Sequence, residues 1–349
     1  MWLAPRLCSR RRCSAKSDSA TGFALPDRRI GVVGTLVWDT IWHPLQGEVE
    51  PREQWGGIAY SLSALAAVCP PGWQICPLVK IGEDLAQEAR RFFASLRNIA
   101  SLADLRIVSQ PSNRVELRYW DSAERTERLS GGVAPWRADE LLPLVTDLDA
   151  IFINFISGFE LSRSTVAQLR RHTSVPLYAD LHSLFLGPPG VGAREPRRLE
   201  DWRDWFGCFD FVQLNEAEMA LTGFADAIEP GSLDLDPGPV AVLITRGCEG
   251  ARVFRRRSFT SLSATLLSRQ GAGGDGFVPL DVPLPHASID GDPTGCGDVW
   301  GSVVFAALLE GRPLEEAIDR GHRAAAAKIR TASIENLAGA VMAALGAPR

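Results

Sequence analysis

Residues 290–311 read DGDPTGCGDVWGSVVFAALLEG, a run of acids and glycines that passes without a break into a long apolar stretch. Acids are common where a helix starts, because the unpaired N–H groups of the first turn leave partial positive charge there. That accounts for Asp298 but not for Gly295 and Gly297. Two glycines two residues apart let backbone N–H groups crowd around a guest, and a helix N-terminus prefers an anionic one. The stretch therefore reads as an anion cradle, built on the backbone of Gly295, Cys296 and Gly297, with the carboxylate of Asp298 at its lip.

Outward from this motif, apolar strand candidates alternate with helix candidates. RIGVVGTLVWDTI (29–41) reads as one buried strand, IAYSLSALAAV (58–68) as a helix, and ICPLVKIGED (75–84) as a second strand. LAQEARRFFASL (85–96) has the spacing of an amphipathic helix. DAIFINFISG, VPLYADLH, FDFVQLN and VAVLITRG repeat the strand pattern later, with helical stretches between most of them. Such alternation implies a mostly parallel sheet covered on both faces, with ligands beyond the carboxyl ends of the strands. RVELRYWDSAERTERLSG (114–131) breaks the rhythm: apolar and polar residues alternate to Tyr119, the chain turns at Asp121–Ser122 and returns polar. It reads as an exposed hairpin that, with residues 40–55, forms a small attached sheet.

The chain has 349 residues, 46% hydrophobic and 23% charged, enough for one large α/β domain or two smaller ones. Its net charge of −5 hides an asymmetry, since residues 1–29 carry seven Lys/Arg and two acids, leaving 30 basic and 40 acidic residues for the rest. An acidic body does not suit nucleic acid or an anionic membrane surface, both of which draw on basic groups. Seven cysteines, an odd number with no CxxC pair, point to reduced thiols and a cytoplasmic protein. Residues 1–28 are Arg- and Ser-rich, the composition of an organelle transit peptide, but they fit a dispensable tail better.

Other motifs fail on context. GAGGDG (271–276) satisfies G-x-G-x-x-G but precedes FVPLDVPLP, with no helix on which a pyrophosphate could sit, so it reads as a loop. No Walker-type G-x-x-x-x-G-K-[ST], H-E-x-x-H or G-x-S-x-G occurs, and the five histidines are scattered. His182 reads as a structural histidine, with a place lining the acceptor pocket as the alternative, and Arg246 as either solvated or in contact with a phosphate.

Asp292-Pro-Thr-Gly-Cys-Gly-Asp298 followed by an apolar helix resembles the C-terminal signature of the ribokinase-like (PfkB) carbohydrate kinases, D-[TP]-T-G-A-G-D. Gly34 with Asp39, the pair Gly56-Gly57 opening a helix, VKIGED, QLNEAEMALTG and LITRGCEG follow in that family's order, so the resemblance spans about residues 30–335. It implies a three-layer α/β/α sandwich with a mostly parallel sheet and a small β lid, taking in residues 29–349 with the lid at about 40–55 and 111–133. It also implies a kinase that moves the γ-phosphoryl group of ATP to an alcohol of a sugar or sugar-like acceptor. Alternatives are a nucleoside kinase of the same fold and a catalytically silent ligand-binding relative.

The resemblance assigns Asp298 as the catalytic base and Gly295, Cys296 and Gly297 as the anion hole. Asp39, Gly56, Gly57 and Ser61 would bind the acceptor, with Ser61 standing where the family usually has Asn. Asn215, Thr245, Gly247 and Thr294 would bind the nucleotide, and Asn215 with Glu218 would hold Mg2+ through water. Asp292 is placed for a monovalent cation, but KIRTASIEN (328–336) lacks the glycine often found at the potassium site, which speaks against K+ activation. The partners implied are ATP and a small-molecule acceptor, with no nucleic acid and no membrane; a homodimer through the lid is compatible with this reading.

Overall fold

The computed structural model describes residues 28–43, 50–120, 125–190, 192–228, 235, 238–259, 261–262, 276–285 and 289–346. Residues 1–27 of the expected tail, 44–49 of one expected lid segment, the Asp121–Ser122 turn and positions 271–275 of GAGGDG lie outside the described residues.

The strands are β1 (Arg28–Val33), β2 (Leu36–Trp42), β3 (Arg52–Gly57), β4 (Trp73–Leu78), β5 (Lys80–Gly82), β6 (Arg106–Val108), β7 (Arg114–Tyr119), β8 (Arg125–Ser130), β9 (Ala150–Asn154), β10 (Leu177–Asp180), β11 (Phe211–Asn215), β12 (Ala241–Thr245), β13 (Ala251–Arg256) and β14 (Phe277–Val282). Eight of them form one sheet in the order β14-β13-β12-β11-β10-β9-β1-β4. The run from β4 to β12 is parallel, and β13 and β14 close one side antiparallel.

Strand alternation sends successive side chains to opposite faces, which makes two cores. Ala150 and Phe152 of β9 join Tyr178, Phe211 and Phe305 under the helices Ile58–Val68, Cys296–Leu309, Leu314–Ile329 and Ile334–Leu345. Ile151 and Ile153 of the same strand join Leu169, Trp205 and Phe206 under Arg163–His172 and Trp202–Phe206. The result is a three-layer α/β/α sandwich. Among the described residues no helix is long and apolar enough to cross a membrane.

A second sheet has the order β3-β2-β7-β8. Two expectations are corrected here. RIGVVGTLVWDTI is not one strand: the chain leaves the large sheet after Val33 and enters the small one at Leu36. It crosses at Gly34, where a Cβ would press on Ile58 Cδ1 at 2.6 Å and on the Asn154 carbonyl at 3.1 Å, so the crossing needs glycine. The 114–131 hairpin is not an exposed one either. Val115, Leu117 and Tyr119 are buried with Val37, Ile41 and Leu129, because β2 extends the apolar face beside β7 and Ile156 and Phe159 pack on it.

Candidate active site

The polar residues that interrupt or follow the apolar strands lie along one edge of the large sheet. Asn154 pairs in register with Asp180, Asp180 with Gln213, and Asn215 with Thr245, so these carboxyl-terminal strand ends form a row. Helix Cys296–Leu309 begins above that row with Gly295 as its N-cap at φ 78°, a conformation that favours glycine. A Cβ at Gly295 would meet the Tyr60 ring at 2.5 Å. Tyr60 is itself fixed, with its hydroxyl accepting from Gln54 Nε2 at 2.9 Å.

The loop expected to cradle an anion opens the helix, but its N–H groups do not all face outward. Cys296 N–H donates to the Pro293 carbonyl at 3.0 Å, closing the loop on itself, so it does not point at a guest. The Gly297 and Asp298 N–H groups have no intramolecular acceptor among the described residues and are the first-turn donors that remain. Burial pushes the Cys296 thiol up to about 12, which leaves it protonated and unreactive.

Asp298 borders a cavity of about 470 Å³ shared with Gly295, Gly297, Asp180, His182, Arg125 and Thr245. Burial raises its pKa above the usual carboxylate range; a hydrogen bond from Asn154 Nδ2 at 2.6 Å, then His182 and Arg125, oppose the rise. Asp180 is pushed to about 8, first by burial and then by Asp298. Gln213 Nε2 spans the two elements, donating to Asp180 Oδ2 at 2.8 Å and to the Gly297 carbonyl at 3.0 Å.

His182 combines both of its expected readings, facing the cavity while bound to a buried carboxylate. It lines the cavity with Nδ1 at 2.5 Å from Glu218 Oε1. Burial lowers its pKa, but Glu218 more than offsets this and the result is about 9, so the ring is an imidazolium at neutral pH. Asn215 and Glu218 form a reciprocal capping box: Asn215 N and Nδ2 donate to Glu218 Oε2 and Oε1, and Glu218 N donates to Asn215 Oδ1. Glu218 is buried, with three donors on its carboxylate, which leaves one acceptor site on Oε2 for a further partner. Among the described residues no group of three or more His, Cys, Asp or Glu side chains is placed to hold a metal directly.

Asp39 is buried and lies over Gly56, where any Cβ would collide with its carboxylate. Burial, then Glu127, holds its pKa well above the usual range. Gly57 has φ 58°, with the Thr35 carbonyl 2.7 Å from where a Cβ would stand. Ser61 is fully buried and accepts from Asn154 Nδ2 at 3.1 Å. Thr294 is buried as well, its hydroxyl 2.6 Å from the Tyr119 hydroxyl of the small sheet. Arg246 is paired with Glu249, with Asp281 at 3.4 Å and Glu216 at 3.6 Å, and is not a free phosphate contact.

A family model, pfkB family carbohydrate kinase, matches residues 191–337. Several solved structures are similar over nearly the whole chain. Ribokinase of Arabidopsis thaliana, complexed with ribose and ATP, is 16% identical over 91% of this chain and 98% of that one, with a TM-score of 0.64. A nucleoside kinase of Burkholderia thailandensis in complex with inosine is 17% identical over 91% and 96%, also at 0.64. A pyrophosphate-dependent kinase in the ribokinase family, a sulfate complex, is 16% identical over 88% and 96%, at 0.63. No curated protein matches the sequence.

This is the ribokinase fold.

Within the ribokinase fold of this chain, the cavity at Asp298 shares Thr245, Pro293 and Gly297 with a neighbouring cleft of about 270 Å³. Trp300, His322, Leu284, Ile289 and Ile329 line that cleft, and Gly247 at φ 52° opens onto it without crowding. An apolar slot thus joins a polar cavity that the unpaired Gly297 and Asp298 N–H groups border.

Sequence reasoning missed Arg125, Asn154, Gln213 and Lys328. Arg125 comes from β8 and donates from Nη1 to Tyr119 Oη at 2.9 Å at the cavity wall. Lys328 is buried with Nζ donating to the Asp292 carbonyl at 3.2 Å and lying 3.6 Å from Asp292 Oδ2. Asn154 and Gln213 each left a trace, a lone amide inside the apolar runs IFINFI and FVQL. Arg125 and Lys328 did not, since each stands among other charged residues in its local pattern, Lys328 between Arg323 and Arg330.

Proposed function

We propose that the chain is an ATP- and Mg2+-dependent kinase that phosphorylates an alcohol of a sugar or sugar-like acceptor. One observation carries this reading: the Asp298 carboxylate and the free first-turn N–H groups of Gly297 and Asp298 share one cavity. An acid serving only the helix dipole needs no such cavity. In this reading Asp298 takes the proton of the acceptor hydroxyl as its oxygen bonds to the γ-phosphorus, and the bond to the bridging oxygen of ADP breaks. The Gly297 and Asp298 N–H groups, with Arg125 and the His182 imidazolium on the wall, offset charge on the phosphoryl oxygens. Glu218 and Asn215 would hold the divalent ion through water; when bound, that ion neutralises phosphate charge. The small sheet, the expected lid, would shield the reacting group from water.

The donor is read as a nucleotide because the apolar cleft beyond Thr245 has no use for pyrophosphate alone. A panel of sugars, polyols and nucleosides with ATP–Mg2+ tests the reading. Acceptor-dependent ADP release is expected; release with pyrophosphate as the sole effective donor overturns the nucleotide assignment.

Two further outcomes follow from the acceptor side and from Asp292. Asp39→Ala should weaken acceptor binding by about 1–3 kcal/mol, seen as a higher acceptor KM, while the KM for ATP stays near wild type. A collapse of ATP binding with intact acceptor binding would place the pocket on the wrong side. Asp292 is already neutralised by Arg52 Nη2 at 2.5 Å and by Lys328, with His43 Nε2 at 3.6 Å. Lys328, Arg52 and Thr294 hold its pKa below the usual value against burial. Replacing K+ by choline at constant ionic strength is therefore expected to leave turnover unchanged; strict dependence on K+ would contradict this.

A further inference from the structure

Asn154 is a polar residue where packing calls for none. It ends β9, whose Ile151, Phe152 and Ile153 are fully buried, and it is itself 0% exposed. Its Nδ2 donates to Asp298 Oδ1 at 2.6 Å and to Ser61 Oγ at 3.1 Å. Its Oδ1 is buried with no hydrogen-bond partner among the described residues. Turning the amide over would set Oδ1 against a carboxylate oxygen at 2.6 Å, two acceptors in contact, so the orientation is dictated by Asp298. A buried amide oxygen without a donor is destabilising, and an apolar side chain of similar size would avoid the penalty. The feature is explained by what the Nδ2 end does.

We infer that Asn154 positions Asp298 for proton abstraction, gripping Oδ1 and leaving Oδ2 free to take the proton from the acceptor, a role that rests on the kinase reading above. Ser61 is the outer support of this grip, holding the amide from the helix that follows Gly57. Asp298 is half-buried, so its free oxygen remains within reach of the cavity. The charges that face it are His182, Arg125 and Lys328 on the positive side and Asp39 and Asp180 on the negative. Among the influences that favour the ionised carboxylate against burial, the Asn154 hydrogen bond stands first.

The test is steady-state kinetics of Asn154→Leu across pH, with thermal melting and an Asp298→Asn background as controls. Loss of the amide should lower kcat about 10- to 100-fold near neutral pH, with the KM for ATP unchanged. Asp298 then holds its proton to higher pH, so the acid limb of the kcat profile moves up and the deficit narrows as pH rises. In the Asp298→Asn background the substitution should add nothing. A rise in acceptor KM with kcat intact would overturn the inference, making Asn154 an acceptor contact. A deficit equal at every pH and additive with Asp298→Asn would also overturn it, leaving a packing role. Should Asn154→Leu fail to fold, Ser61→Ala carries the test: a smaller kcat loss with the same pH signature is expected, and no change at any pH contradicts it. Wild-type turnover by Asp298→Asn alone would instead remove the kinase reading itself.

Discussion

Asp298→Asn should fold, bind ATP–Mg2+ with near-normal affinity and lose about 100-fold or more in kcat. Asn keeps the size of the side chain and some of its hydrogen bonding but cannot accept the proton. The outcome separates two explanations of the same acid. If Asp298 served only the positive end of helix Cys296–Leu309, the amide would lower stability by some tenths of a kcal/mol at most and leave turnover almost intact. The surroundings favour the first explanation: a carboxylate raised by burial, gripped on one oxygen by Asn154 and opening on a cavity beside two free N–H groups. Turnover and nucleotide binding measured on the same preparation decide it, and kcat within a few-fold of wild type would restore the helix-capping explanation.

Gly295→Ala should lower kcat about 100-fold while the protein remains folded. The position combines φ 78° with a Cβ site 2.5 Å from the Tyr60 ring. Tyr60 is buried, tied to Gln54 and faced by the Lys328 ammonium 5.5 Å from its centroid, so the loop must yield before the ring does. A displacement on the order of 1 Å at the N-cap carries the Gly297 and Asp298 N–H groups away from the transferring group, and a shift of that size is enough for such a loss. The backbone strain should also lower stability by about 1–3 kcal/mol, visible as a lower Tm. Full turnover with a lower Tm would show that the loop geometry is structural and not catalytic.

The central strands were legible because parallel strands buried on both faces are apolar up to their last residue, as in AIFIN and AVLIT. The crossing at Gly34–Thr35 was not, since VVGTLV stays apolar through the change of sheet and no periodicity marks it. At the site, Asp298 and its glycines are contiguous in sequence and could be read together. Their supports are not: Asn154 lies 144 residues from Asp298, and His182 lies 36 from the Glu218 that sets its charge. Cys296 could be placed in the cradle from sequence, but that its N–H turns inward to Pro293 depends on the closure of one turn. Sequence pattern reads local chemistry well, and the partners that the large sheet brings to its carboxyl edge lie beyond it.

The most direct test of the kinase assignment follows phosphorus itself. The full chain is incubated with ATP, Mg2+ and each acceptor of the panel, and the products are followed by 31P NMR. A phosphomonoester on at least one sugar-like acceptor, growing in step with ADP and absent with Asp298→Asn, is the predicted result. ATP left intact with every acceptor, or cleaved to inorganic phosphate with no phosphorylated acceptor, would contradict it.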